Sequence, residues 1–252
     1  RKDGDTDLPP FIEGDPAVIG TFRPICGTTA PDGSFVFADW SCAIIGHMQH
    51  HLRDPNRDHT SGRIYRVTYQ GRPLMEVKKV HGQPVTALLD LLKEPENEVR
   101  TRAKIELDKH PTKEVIAATQ QWVKQFDPKK AGDAHHILEA LWVHQWHNVV
   151  NTDLINTVFA SPEPRARAQA VRVALYQRDR VPDVLDIIEK AVADDNMRVR
   201  LEGVRACSFF KPGDKRAVTA ALSVTKKELD YTLEYCLKET LRQIAPKTEA
   251  LV

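Results

Sequence analysis

The chain lacks most of the short signatures that announce a chemistry. It has 252 residues but only four cysteines, Cys26, Cys42, Cys207 and Cys236, and no Cys-x-x-Cys pair. Zinc ribbons, redox dithiols and c-type haem attachment therefore have no local support. It has no phosphate-cradling loop, dinucleotide fingerprint, nucleophile elbow or His-Glu-x-x-His frame. No apolar run approaches the ~20 residues that span a bilayer. The opening, RKDGDTDLPP, has no apolar leader and reads as mid-protein sequence, which points to a fragment or a processed product. Neither sign of charge prevails, with 36 basic against 35 acidic residues. Each side of Val80 is balanced as well, with 10 of each sign before it. An electrostatic nucleic-acid footprint is not expected.

Glycine is unevenly spread. Eight of the twelve glycines fall in residues 1–80, and only Gly82, Gly132, Gly203 and Gly213 follow. The first part reads as β structure. Val18 to Ile25 is a candidate strand, Pro31-Asp32-Gly33 a turn, Ser34 to Trp40 a second strand with Phe35 and Phe37 on one face, and Gly62 to Tyr69 a third. Cys26 and Cys42 flank the hairpin, within reach of a disulfide in an oxidising compartment. The second part reads as consecutive helices of about 10–16 residues with short breaks.

Those helices repeat. Ala166 through Arg172 matches Val199 through Arg205 at an offset of 33, and Val99 through Ala103 fits the same frame further upstream. Weaker units run from Asp133 to Trp146 and from Leu229 to Ile244. Each clear unit pairs a short acidic or polar turn with a Val-Arg type of helix start. Small residues, Ala103, Ala170 and Gly203, allow close helix approach. The expected fold is mainly α: a HEAT-like α-solenoid of about five hairpins over residues 79–252, after a β-rich segment over residues 1–78.

The densest constellation lies between Gly46 and Tyr69. His47, His50 and His51 crowd five residues, His59 follows, and Arg53, Asp54, Arg57 and Asp58 lie between them. On a helical turn the first three histidines share a face at ligand spacing, so His47 and His51 are candidate metal ligands with Asp54 or Asp58 behind them. His50, Arg53, Asp54, Arg57, Asp58 and His59 are candidate binding residues. The structural alternative is a network in which these groups satisfy one another. Asp39 and Trp40, at a strand end, are a candidate base, calcium or binding pair, or a turn cap. Arg100, Arg167 and Arg200 occupy equivalent repeat positions. They form either a basic surface or an internal ladder to acidic turn residues such as Glu96, Glu163, Asp194 or Asp195. His144 falls near an apolar stripe and reads as a hydrogen-bonded core histidine. Cys207 and Cys236 read as free buried thiols.

The run from Phe35 to Tyr69, with Ala38-Asp39-Trp40 and Ile44 through His59, resembles a family of large secreted proteins. These are the planctomycete-type haem-binding Cys-x-x-Cys-His, or membrane-bound dehydrogenase-like, proteins. Leu138 through Gln145 and Tyr231 through Arg242 look like the helical region of that family. The resemblance implies a β-propeller similar to pyrroloquinoline-quinone (PQQ) sugar dehydrogenases, then HEAT repeats, then a cytochrome c domain. This chain resembles the propeller's end and the HEAT region, and it has no Cys-x-x-Cys-His site. The resemblance thus implies a non-catalytic scaffold of a redox assembly, with no cofactor in this chain but haem c or PQQ in its parent. It implies protein partners (a propeller, a cytochrome c domain or other subunits) and a periplasmic or cell-surface location; the lack of a long apolar run, not the resemblance, argues against a membrane span. A fragment of a PQQ-type or haem-linked oxidoreductase with a His-rich site, and an interaction domain unrelated to redox chemistry, are the alternatives.

Overall fold

The computed structural model describes residues 22–40, 54–55, 60 and 62–245. These fall into two compact units. One is formed within residues 1–79 together with 96–99, the other by residues 80–95 together with 100–252.

The first unit contains a three-stranded antiparallel sheet in the order β1-β2-β3, with β1 Pro24–Thr29, β2 Phe35–Asp39 and β3 Arg63–Val67. The turn falls at Pro31-Asp32-Gly33, as its composition predicts, with Gly33 at φ +78°. Asp32 holds that turn by accepting from Ser34 N at 3.0 Å and Ser34 Oγ at 2.6 Å. Arg66 reaches across from β3 to Ser34 Oγ at 3.0 Å and pairs with Asp32. β2 and β3 lie inside their expected ranges. β1 starts later than expected, at Pro24, and runs on through Cys26 and Gly27, while residues 18–21 lie outside the described residues. Position 27 requires glycine because the Phe35 ring occupies the space a Cβ would take. Phe37 is buried and stacks on Tyr65 at 5.2 Å, with Phe22 edge-on to both.

The second unit is helical. The ten α-helices among the described residues are α1 Val85–Asp90, α2 Asn97–Leu107, α3 Thr112–Trp122, α4 Ala134–Trp146, α5 Thr152–Phe159, α6 Pro164–Tyr176, α7 Val184–Val192, α8 Met197–Cys207, α9 Lys215–Ser223 and α10 Tyr231–Ile244. Four of them are shorter than the expected 10–16 residues: α1 has 6, α5 8, α7 9 and α9 9. Half of the helix starts have a side-chain cap. Asn151, Glu163, Asn196, Asp214 and Asp230 each cap the helix that follows by accepting a backbone N–H of its first turn. Pro164 opens α6 at a position whose N–H has no intrahelical partner.

From α3 onward the helices pack on their sequence neighbours, and several pack on the helix two places along. α4 packs on α6, α6 on α8, and α8 on α10, while α1 packs on α3 and α7 on α9. One row is therefore made of the longer helices α4, α6, α8 and α10. A continuous core runs between the rows, with Leu141, Ile155, Leu175, Ile188, Leu233 and Ile244 fully buried. The small residues act as expected. Ala103 and Ala170 are fully buried, and a Cβ on Gly203 would stand 2.7 Å from the backbone N of Val192 in α7.

Candidate functional site

Three arginines stand at the same place in three helices. Arg100 Nη1 donates to the carbonyls of Glu94 and Pro95 at 2.7 and 2.6 Å. Arg167 Nη1 donates to those of Ser161 and Pro162 at 3.0 and 3.3 Å. Arg200 Nη1 donates to those of Asp194 and Asp195 at 3.1 and 2.9 Å. In each case the acceptors lie six and five residues upstream, so one guanidinium edge closes the turn that leads into its own helix. The other edge reaches onward. Arg167 grips Asp194 with two bonds of 2.9 Å, Arg200 donates to the Glu228 carbonyl at 3.0 Å, and Arg100 Nε donates to Glu139 Oε1 at 3.0 Å. The arginines are an internal ladder. Arg167 takes one of the acidic turn partners expected from sequence. Arg200 uses a carbonyl instead, and Arg100 uses a helical glutamate.

That glutamate is the most buried charge of the unit. Glu139, on α4, is 1% exposed. It receives Arg100, Lys104 Nζ at 2.7 Å and His135 Nε2 at 3.3 Å. Burial raises the Glu139 carboxyl, but the hydrogen bonds from His135 and Lys104 and the charge of Lys104 outweigh it and leave the group below the ordinary carboxylate range. Lys104 Nζ also lies 5.1 Å from the centre of the Trp142 ring, and His135 stands edge-on to that ring at 6.1 Å.

His135 and Trp142 form one wall of an open groove of about 490 Å³. The other wall is Ala166 and Gln169 on α6, with Leu138 at the base and Glu163, Arg165 and Arg198 at the rim. Arg165 pairs with Glu163 at 2.8 Å. The exposed guanidinium of Arg198 meets no acidic side chain among the described residues. Beyond the groove the same row carries Arg172 and Tyr176 on α6. Arg205 on α8 and Phe209, just past its end, match them. Tyr176 and Phe209 meet edge to face at 6.5 Å, Arg172 lies 5.9 Å from the Tyr176 ring and Arg205 5.5 Å from that of Phe209. Glu202 serves both arginines, at 3.8 Å to Arg172 and 2.9 Å to Arg205. The arrangement combines flat aromatic rings with guanidinium donors.

Of the residues singled out from sequence, His47, His50, His51, Arg53, Arg57, Asp58 and His59 lie outside the described residues, as does Cys42. Asp54 is half-buried. Asp39 is 3% exposed at the end of β2; it accepts from Arg23 N and pairs with Arg63 Nε at 2.7 Å. It thus ties both outer strands to the central one. Trp40 beside it is exposed and donates its N–H to the Arg23 carbonyl at 2.9 Å. Among the described residues no three His, Cys, Asp or Glu side chains group to hold a metal ion.

His144 is a core histidine, 1% exposed. Its Nδ1 lies 2.9 Å from the Ala140 carbonyl and its Nε2 3.2 Å from Asn151 Nδ2. A carbonyl only accepts, and Asn151 Oδ1 is already turned to the Leu154 N–H at 3.0 Å, so the Asn151 amide donates. The imidazole is therefore neutral, protonated on Nδ1, and burial holds its pKa below the usual value. Cys207 is buried and Cys236 half-buried, and burial pushes the Cys207 thiol up to about 12.

Sequence reasoning passed over Lys104, Glu139, Arg165, Arg172, Arg198 and Arg205 as site residues. The 33-residue offset held a signal for four of them, because it superposes Arg165 on Arg198 and Arg172 on Arg205 as well as the inner arginines.

The described structure is a mainly helical protein with a small antiparallel sheet. No family model, curated protein or solved structure matches the chain. Among the described residues no helix is long and apolar enough to cross a membrane.

Proposed function

We propose that the chain is a non-catalytic scaffold and interaction module whose helical unit is a HEAT-like α-solenoid. The repeated arginine brace carries this reading. The same two-carbonyl grip, six and five residues upstream, recurs at Arg100, Arg167 and Arg200. A turn rebuilt three times in this way, with each brace reaching onward, is what a stack of similar helical pairs requires. The contacts of α4 with α6, α6 with α8 and α8 with α10 agree with such a stack. Stacked repeats offer extended surfaces rather than enclosed pockets, and the open groove on this row fits a binding role.

The place of this scaffold in a secreted redox assembly, holding a propeller, a cytochrome domain or other subunits, rests on the sequence resemblance. So do a periplasmic or cell-surface location and haem c or PQQ in the parent protein. Cross-linking of the native assembly, read by mass spectrometry, tests the proposal. Cross-links from lysines of the helical unit to another subunit or domain are expected. A chain that cross-links only to itself in its native setting contradicts it.

A further inference from the structure

We propose that the row formed by α4, α6 and α8 binds an extended acidic segment of a partner protein, with one carboxylate at about every third residue. This rests on the interaction-module reading and names the partner's chemistry.

The first observation is charge. Arg165, Arg172, Arg198 and Arg205 line this row, where among the described residues the carboxylates that pair with them are Glu163 and Glu202. Glu163 is already committed as the cap of α6, where it accepts from Arg165 N at 3.1 Å. Glu202 is shared between two guanidinium groups. Arg100 and Lys104 both pair with Glu139 on α4. The chain as a whole is nearly neutral at +1. The positive excess is therefore local to this row.

The second observation is where two of those cations stand. Arg165 and Arg198 each occupy the second residue of their helix. The helix dipole is positive there, so a cation is disfavoured by roughly 0.3–1 kcal/mol. Arg167 and Arg200, two residues on, offset the same penalty with the ladder bonds. Arg198 has no such return among the described residues. A cation kept at an unfavourable position and facing a groove is suited to an anion supplied from outside.

The third observation is spacing. Arg165 and Arg198, Arg172 and Arg205, and Tyr176 and Phe209 are equivalent pairs at the offset of 33 on helices that touch. Packed helix axes lie about 8–10 Å apart. A polyproline II chain advances ~3.1 Å per residue with three residues per turn, so its every third side chain points the same way after ~9 Å. Carboxylates at that interval meet successive guanidinium groups. Trp142 gives an apolar face beside Arg165 and Arg198, and Tyr176 and Phe209 give one beside Arg172 and Arg205, for the backbone and the prolines between the carboxylates. Trp142 lines the groove itself, and Tyr176 and Phe209 are 50% and 41% exposed.

The test uses the full chain and a fluorescein-labelled peptide of four Glu-Pro-Pro triplets, read by anisotropy at low salt. Its control is an isomer of the same composition with glutamates two apart. Saturable binding is expected, severalfold tighter than for the isomer and lost at high salt. The double variant Arg165→Gln, Arg198→Glu is expected to weaken binding about tenfold. Its urea midpoint should hold or rise, because an acid at the second position of α8 suits the dipole. No saturable binding, equal affinity for the isomer, or undiminished binding by the folded double variant overturns the proposal. Should native cross-links to a partner persist while the peptide fails, this inference falls and the scaffold reading stands. Absent cross-links would remove that reading itself.

Discussion

Replacing Glu139 by Gln removes the one negative charge between Arg100, Lys104 and His135 while keeping the side chain's size. The amide oxygen can serve one cation. Its NH₂ must then face the other, donor against donor. Lys104 is 9% exposed and cannot turn to water without moving Trp142. Breaking a buried pair from one side costs about 3–5 kcal/mol. Two contacts survive and hold the loss near the lower end: Arg100 keeps the carbonyls of Glu94 and Pro95, and Lys104 keeps the face of Trp142. A loss of about 3 kcal/mol is expected, or a melting temperature lower by roughly 6–12 °C for a unit of this size. Urea unfolding followed by tryptophan fluorescence measures it. Adding Lys104→Met to Glu139→Gln removes the stranded cation and should recover about 1–2 kcal/mol. A single variant within about 0.5 kcal/mol of the parent would refute the view that the cluster is a tightly coupled buried network.

Acid should weaken the helical unit in two stages. His136, His144 and His147 all have pKa values held below 6.5, by burial first. The unfolded chain therefore takes up protons before the folded one, and stability falls as pH drops below about 6.5. The carboxylates Glu106, lowered to about 2 by the Gly82 N–H and Lys109, and Glu139, lowered by its cations against its burial, add a second loss below about 4.5. Urea midpoints at pH 7.5, 5.5 and 4 should decline in that order, and a flat profile from 7.5 to 5.5 would contradict the histidine part. Gly203→Ala should destabilise by about 1–3 kcal/mol, because the added methyl meets the backbone of Val192, and its gain in helix propensity recovers only part. Gly132→Ala, whose added carbon meets nothing within 4 Å, is the comparison and should be near neutral in the same urea assay.

Much of the architecture was legible because it rests on local rules. The switch from glycine-rich alternating sequence to alanine- and leucine-rich periodic sequence separates the sheet from the helices. The 33-residue match of the Arg167 and Arg200 segments marks two helices that do pack together. His144 was readable as a core histidine because an imidazole on an apolar stripe needs two local partners, and Ala140 and Asn151 supply them. The start of β1 was not readable, because Pro24 and Gly27 look like breakers until the pairing with β2 and the nearby Phe35 ring are known. Nor was the Glu139 cluster. It joins residues 35 and 39 positions apart, and no local pattern couples a charge on α4 to two on α2. Two of the shorter helices, α1 and α9, were overestimated because their ends are set by 3₁₀ turns, which continue the helical periodicity without continuing the helix.

The stack of braced repeats is tested most directly by amide hydrogen exchange of the full chain beside its Arg167→Met variant. That substitution removes both bonds to Asp194 and the grip on the Ser161 and Pro162 carbonyls. If successive pairs of helices are joined through such braces, exchange should quicken in the turn before α6 and from α8 to α10, and α4 and α5 should keep their protection. An even rise in exchange from α4 to α10, or none at all, would contradict it.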